Sequence, residues 1–113
     1  MKKESKRLYE GMYILNASLS EDALKKALDR ITKTIEENGG EVQKIHEMGR
    51  KKLAYEINGY KQGQYFLLYF SVVPSLITEM WKEYHLNEDL IRFMTMRTDT
   101  VLEKLEFNPL PEA

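Results

Sequence analysis

Arg50, Lys51 and Lys52 stand in a row behind Gly49, and the chain then alternates Leu53, Tyr55 and Ile57 against Ala54 and Glu56. Three adjacent cations break no bond on their own. Their chemistry is to neutralise phosphate and release the counterions held around it. The alternation that follows reads as a half-buried strand, whose packing has no use for three charges at its start. Gly49 predicts a bend or bulge at that point. Other cations beside predicted strands are Arg7, Arg92 and Arg97, and Lys2, Lys3 and Lys6 precede the first strand. Tyr9 adds a ring able to stack on a nucleotide. Each has a plainer role as an alternative. A charge run is usually a solvated strand end, strand arginines pair with carboxylates on adjacent strands, and a strand tyrosine packs with its hydroxyl at the rim.

Other chemistries find little support. There is no cysteine, hence no thiolate nucleophile, disulfide framework or Cys-based zinc site. His46 and His85 are the only histidines and fall in no ligand or nucleophile pattern. Glu36-Glu37 and Glu88-Asp89 are adjacent pairs whose side chains diverge, and Gly39-Gly40 closes a helix instead of opening a phosphate loop after a strand. The expectation is no catalytic residue, no metal, no cofactor and no small-molecule substrate. With 17 cations against 18 acids the net charge is −1, so any nucleic-acid role must rest on segregated charge. The chain's 113 residues, 42% apolar and 31% charged, fit one soluble globular domain. No apolar run approaches membrane-spanning length and no signal peptide is evident, so a cytoplasmic chain without a membrane partner is expected.

The elements that must position the cations follow from periodicity. Leu8 to Leu15 is a first strand. Ser20 caps a helix, with Glu21 and Asp22 favoured by its dipole, and Leu24, Ala27, Leu28, Ile31 and Ile35 share one face. Asn38-Gly39-Gly40 ends it. Glu41 to Met48 runs past Gly49 into the opening stretch as one long bent strand. Asn58-Gly59 and Gln62-Gly63 bracket a hairpin turn. Tyr65 to Val73 is the most hydrophobic run, with Phe66, Leu68, Phe70 and Val72 on one face and Tyr65, Leu67, Tyr69 and Ser71 on the other. Pro74-Ser75 begins a second helix, Asn87 to Asp89 is a loop, and Ile91 to Thr98 is a last strand. The order β-α-β-β-α-β predicts an α+β, ferredoxin-like fold. Its four-stranded antiparallel sheet runs in the order 4-1-3-2 with both helices on one face. The organisation is a basic extension over 1–7, a single domain over 8–98 and a tail over 99–113. The central strand is apolar on both faces, which argues for cover of part of the open face by a partner or by the tail; the alternative is that its tyrosines line a solvated face.

Gly49 to Ile57 resembles the signature of the bacterial small-subunit ribosomal protein S-six family. Tyr9-Glu10 resembles that family's first strand, and Leu86 to Thr98 its last loop and strand. The likeness runs from about Leu8 to Thr98. It departs at Glu56, where many members carry proline after the tyrosine. The resemblance implies a structural, non-catalytic protein of the cytoplasmic ribosome. Such a protein binds the central domain of the small-subunit (16S) ribosomal RNA beside ribosomal protein S-eighteen, and Arg7, Tyr9, Arg50, Lys51, Lys52, Arg92 and Arg97 are its RNA-binding candidates here. Neighbouring first and last strands would let Arg7, Arg92 and Arg97 combine into one patch. The cluster at 50–52 joins them only if the hairpin bends back. Two alternatives share the element order. An RNA-recognition-motif module would need a cation, an aromatic and a small residue where Gln62, Gln64 and Tyr65 stand. A small-ligand regulatory dimer would pair its open sheet with a second copy.

Overall fold

The strand β3, Tyr60–Val72, is the spine of the sheet. Phe66, Leu68, Phe70 and Val72 alternate along it onto one face and are almost wholly buried. Removing side chains of that size from water contributes about 1.5–3 kcal/mol each. They meet Tyr13 and Leu15 of β1 (Arg7–Asn16), Ala27, Ile31 and Ile35 of α1 (Glu21–Glu37), and Ile77, Met80 and Tyr84 of α2 (Ile77–His85). Both helices therefore cover the same face. With β2 (Glu41–Ile57) and β4 (Leu90–Arg97) the antiparallel strands lie in the order β2-β3-β1-β4, which is the order expected. The structure, a computed structural model, describes residues 5–57 and 59–102. Most of the basic extension and of the tail lies outside the described residues.

Local signals account for the boundaries. Ser20 Oγ accepts the Ala23 N–H at 3.2 Å, satisfying a donor that α1 leaves open at its start. Ser20→Ala should lower the unfolding free energy by about 1 kcal/mol, read as a lower urea midpoint at unchanged slope. Gly39, at φ +77°, takes the left-handed conformation that ends α1. Pro74 opens a single 3-10 turn, Pro74–Leu76, before α2 begins at Ile77, so the second helix is shorter than its first proline suggests.

The hairpin β2–β3 differs most from expectation. Its turn is confined to the region of Gly59, at φ +85°. Gln62 and Gly63 lie inside β3, not in the turn, and the strand starts at Tyr60 instead of Tyr65. Gly63 is there for space. A Cβ at this position would overlap Cγ2 of Ile14. The long bent β2 is as expected: Gly49 sits at φ +85° where the β2–β3 register shifts between Glu47 and Gly49, a bulge that turns the hairpin.

The open face receives part of its cover from the chain itself. Beyond β4, the Thr98 N–H donates to the Leu8 carbonyl at 3.1 Å, and His46 Nε2–H, on β2, donates to the Leu102 carbonyl at 2.6 Å. Residues 98–102 thus cross from the β4 edge to the β2 edge. The His46 ring also meets Tyr69 edge-on, at 5.9 Å between centroids. Tyr69 and Leu67, both turned away from the helices, are 0% and 4% exposed. Burial, and then the nearby Glu10 carboxylate, push the Tyr69 hydroxyl above its ordinary value.

Candidate nucleic-acid interface

Residues opposite one another in an antiparallel pair share a face, and neighbours along a strand do not. This splits the cation run. Arg50 and Lys52 pair with Gln64 and Gln62, on the side of β3 that carries Phe66. Lys51 pairs with Gly63, on the side that carries Tyr65. Arg50 reaches back to the turn between β1 and α1, where its Nη2–H donates to the Ala17 carbonyl at 2.9 Å. That bond ties the base of the hairpin to the body of the protein. Lys51 instead lies over the Tyr65 ring, with Nζ 5.8 Å from the centroid, a cation–π contact.

Arg92, on β4, is opposite Ile14 on β1, and Ile14 is opposite Tyr65 on β3. Arg92 is therefore on the same open face as Lys51. It is joined there by Tyr55 from the far end of β2: Arg92 Nη1–H donates to the Tyr55 hydroxyl at 2.6 Å, and its guanidinium carbon is 5.9 Å from the ring centroid. The hairpin therefore does bend back. It carries the Tyr55 ring across to the opposite edge strand, while Lys51 stays over Tyr65 of the neighbouring strand, and all four side chains face the same side of the sheet.

Arg7, Tyr9 and Arg97 are elsewhere. Tyr9 and Arg97 are cross-strand partners, and the Tyr9 ring stacks on Phe70 at 5.9 Å and 25°, which places this side chain at the margin of the helix-side core. Arg7, opposite Val72, starts the same strand face. Arg92 and Arg97 are an odd number of residues apart on β4 and face opposite sides, separated by about 17 Å of strand. Arg7, Arg92 and Arg97 thus do not form the single patch that neighbouring strands suggested, because strand order ignores the alternation of faces. The contact partners missed from sequence are Tyr55 and Tyr65. A signal for one was present: Lys51 and Tyr55 are an even number of residues apart on one strand.

A concavity lined by Trp81, His85 and Phe93, and reaching Arg92 and, from the hairpin, Tyr60, runs along β4 and offers no catalytic grouping among the described residues. Trp81 Nε1–H donates to Thr95 Oγ1 at 3.2 Å, and His85 meets the Phe93 ring edge-on. Among the described residues no three His, Cys, Asp or Glu side chains converge as a metal site, and no helix is long and apolar enough to cross a membrane.

Comparison with known proteins gives this arrangement a family. The family model described as ribosomal protein S6 matches residues 8–97. The small ribosomal subunit protein bS6 of Chlamydia felis is 58% identical over 112 residues, covering 99% of this chain and 100% of the relative. That of Protochlamydia amoebophila is 56% identical, covering 99% and 98%. Among solved structures, the 30S ribosomal protein S6 of Thermotoga maritima superposes with a TM-score of 0.77 at 32% identity, over 83% of this chain and 89% of the other. The chain belongs to the ribosomal protein S6 family.

Proposed function

We propose that this chain is a structural, non-catalytic constituent of the small ribosomal subunit in the cytoplasm. In this role it binds the central domain of 16S ribosomal RNA together with ribosomal protein S-eighteen. Family membership supports the coarse assignment. The observation that supports the RNA-binding part is that Lys51 and Arg92, from opposite edge strands, face the same side of the sheet, with the folded-back hairpin bringing Tyr55 to Arg92. A folded RNA is recognised mostly by shape and by phosphate and 2′-hydroxyl contacts, which suits separated cations on a rigid frame. S-eighteen would occupy apolar surface that the chain leaves open; Met94 and Met96, 53% and 60% exposed on β4, are adaptable side chains for such a contact. The RNA-recognition-motif alternative is disfavoured because Leu67 and Tyr69, the side chains of β3 that would face a base, are buried.

The test is binding to a central-domain RNA fragment across a salt series, with and without S-eighteen. Lys51→Ala and Arg92→Ala should each make the log–log salt slope shallower by roughly one. Arg50→Ala is a poor probe, because it also frees the Ala17 carbonyl. Partner and RNA should tighten one another's binding by the same factor. Wild-type slopes in both variants would move the RNA face off this surface, and equal partner affinity with and without RNA would remove the coupling.

A further inference from the structure

Tyr55 is 61% exposed, far more than a tyrosine on a packed strand needs. Its ring is nevertheless held: the Arg92 guanidinium donates to its hydroxyl at 2.6 Å and lies against the ring at 5.9 Å from the centroid. The strand that carries it extends past the body of the sheet, and β2 and β3 lose regular register between Lys52 and Ile57. An exposed aromatic ring at a hairpin end contributes nothing to a core. A ring fixed in advance by a cation is prepared for a flat partner, because little rotamer freedom is left to lose on binding. The tyrosines of β3 on the open face are less suited, since Tyr69 is fully buried and Tyr65 already carries Lys51.

We propose that Tyr55 is the stacking platform for one unpaired RNA base, with Arg92 as its positioning residue and as the cation nearest the adjoining phosphate. The proposal rests on the RNA-binding reading above and adds a nucleobase contact to a surface otherwise defined by phosphates. A base presents a π-face whatever its identity, so the contact adds affinity with little sequence preference. A tyrosine ring supplies that contact without a charge, so its contribution is independent of salt. This separates it from Lys51, whose contribution is electrostatic.

The experiment uses the full chain, S-eighteen and the central-domain RNA fragment, with Tyr55→Leu and Tyr55→Phe compared with wild type over the same salt series. Tyr55→Leu should bind roughly five- to 150-fold more weakly at every salt concentration, with the wild-type slope retained. Tyr55→Phe should keep most of the affinity, because it keeps the ring. Thermal melts of the free variants guard against misfolding, and ultraviolet crosslinking of wild-type protein, mapped by mass spectrometry, should attach a nucleotide to Tyr55. Wild-type affinity in Tyr55→Leu with intact RNA binding overturns the stack and leaves the RNA reading standing. A wild-type chain that binds no RNA overturns both. Loss of S-eighteen binding by Tyr55→Leu in the absence of RNA makes the ring a protein contact, and this too overturns the proposal.

Discussion

Gly63→Ala should lower the unfolding free energy by about 2–3 kcal/mol, the upper part of the range for overpacking a filled site. A single methyl group has this effect because of where Gly63 lies. It sits inside β3, opposite Asn16 of β1 and Lys51 of β2, and an added Cβ would overlap Ile14 Cγ2. Ile14 is itself 8% exposed, so its branched side chain has little room to retreat. Gly39 and Gly59 present the opposite problem. Both have positive φ, and a Cβ at either would find nothing within 4 Å, so an alanine there meets only the conformational cost, about 1–2 kcal/mol. Ile14→Ala separates the two explanations. Alone it leaves a cavity and destabilises; combined with Gly63→Ala it opens the space that the new methyl needs. Urea unfolding of both single variants and the double variant should show a combined loss at least about 1 kcal/mol smaller than the sum. Additive losses would mean that the strand backbone, not Ile14, resists the substitution. The contact also bears on the proposed interface, since it seats the root of the hairpin that carries Lys51 and Tyr55.

Much of the fold was legible because each element carried its own local signal. The Ser20 cap, the glycines after α1, the two-residue period of β3 and the glycine at the β2 bend all act within a few residues of themselves, and the structure places each where its chemistry requires. Gly63 misleads for the complementary reason. A glycine near Asn58-Gly59 resembles turn chemistry, whereas its actual constraint comes from Ile14, 49 residues earlier in the chain. The candidate site was legible as a set of cations but not as a surface. Lys51 is adjacent in sequence to Arg50 and Lys52 and faces away from both, whereas Lys51 and Arg92 are distant in sequence and share a face. Which residues meet depended on the curl of the hairpin, and a bulge announces that a strand bends without stating how far. The family resemblance named the kind of partner to expect. It did not distinguish Arg50, tied to the Ala17 carbonyl, from Lys51, which lies over the Tyr65 ring.

The pair Tyr13 and Tyr84 should make the folded chain unusually sensitive to alkali. Their hydroxyls lie 3.0 Å apart inside the core, with the rings edge-on at 5.3 Å. Burial is the main reason that both hydroxyls are held above their ordinary value; the neighbouring tyrosine opposes ionisation of Tyr13 further, while its hydrogen bond offsets part of the shift at Tyr84. Below about pH 10 both folded and unfolded chains keep these protons, and the stability from the neutral pair is fully present. Above it the unfolded chain releases protons that the folded one retains. Stability then falls by up to about 1.4 kcal/mol per pH unit for each tyrosine, until the raised folded values are passed. At neutral pH, Tyr13→Phe or Tyr84→Phe leaves one buried hydroxyl without its partner and should cost about 1–3 kcal/mol. The double variant Tyr13→Phe/Tyr84→Phe removes both polar atoms and should cost less than the sum. Its stability should also decline less steeply above about pH 10, where free tyrosine ionises, so that its deficit relative to wild type shrinks by up to about 3 kcal/mol over the next pH unit. Denaturant midpoints for the four proteins, followed from about two units below that value to about one above, give the comparison, with lysine titration common to all of them. Parallel profiles would show that the two hydroxyls ionise as readily in the folded chain as in the unfolded one, and that their burial does not govern the alkaline limit.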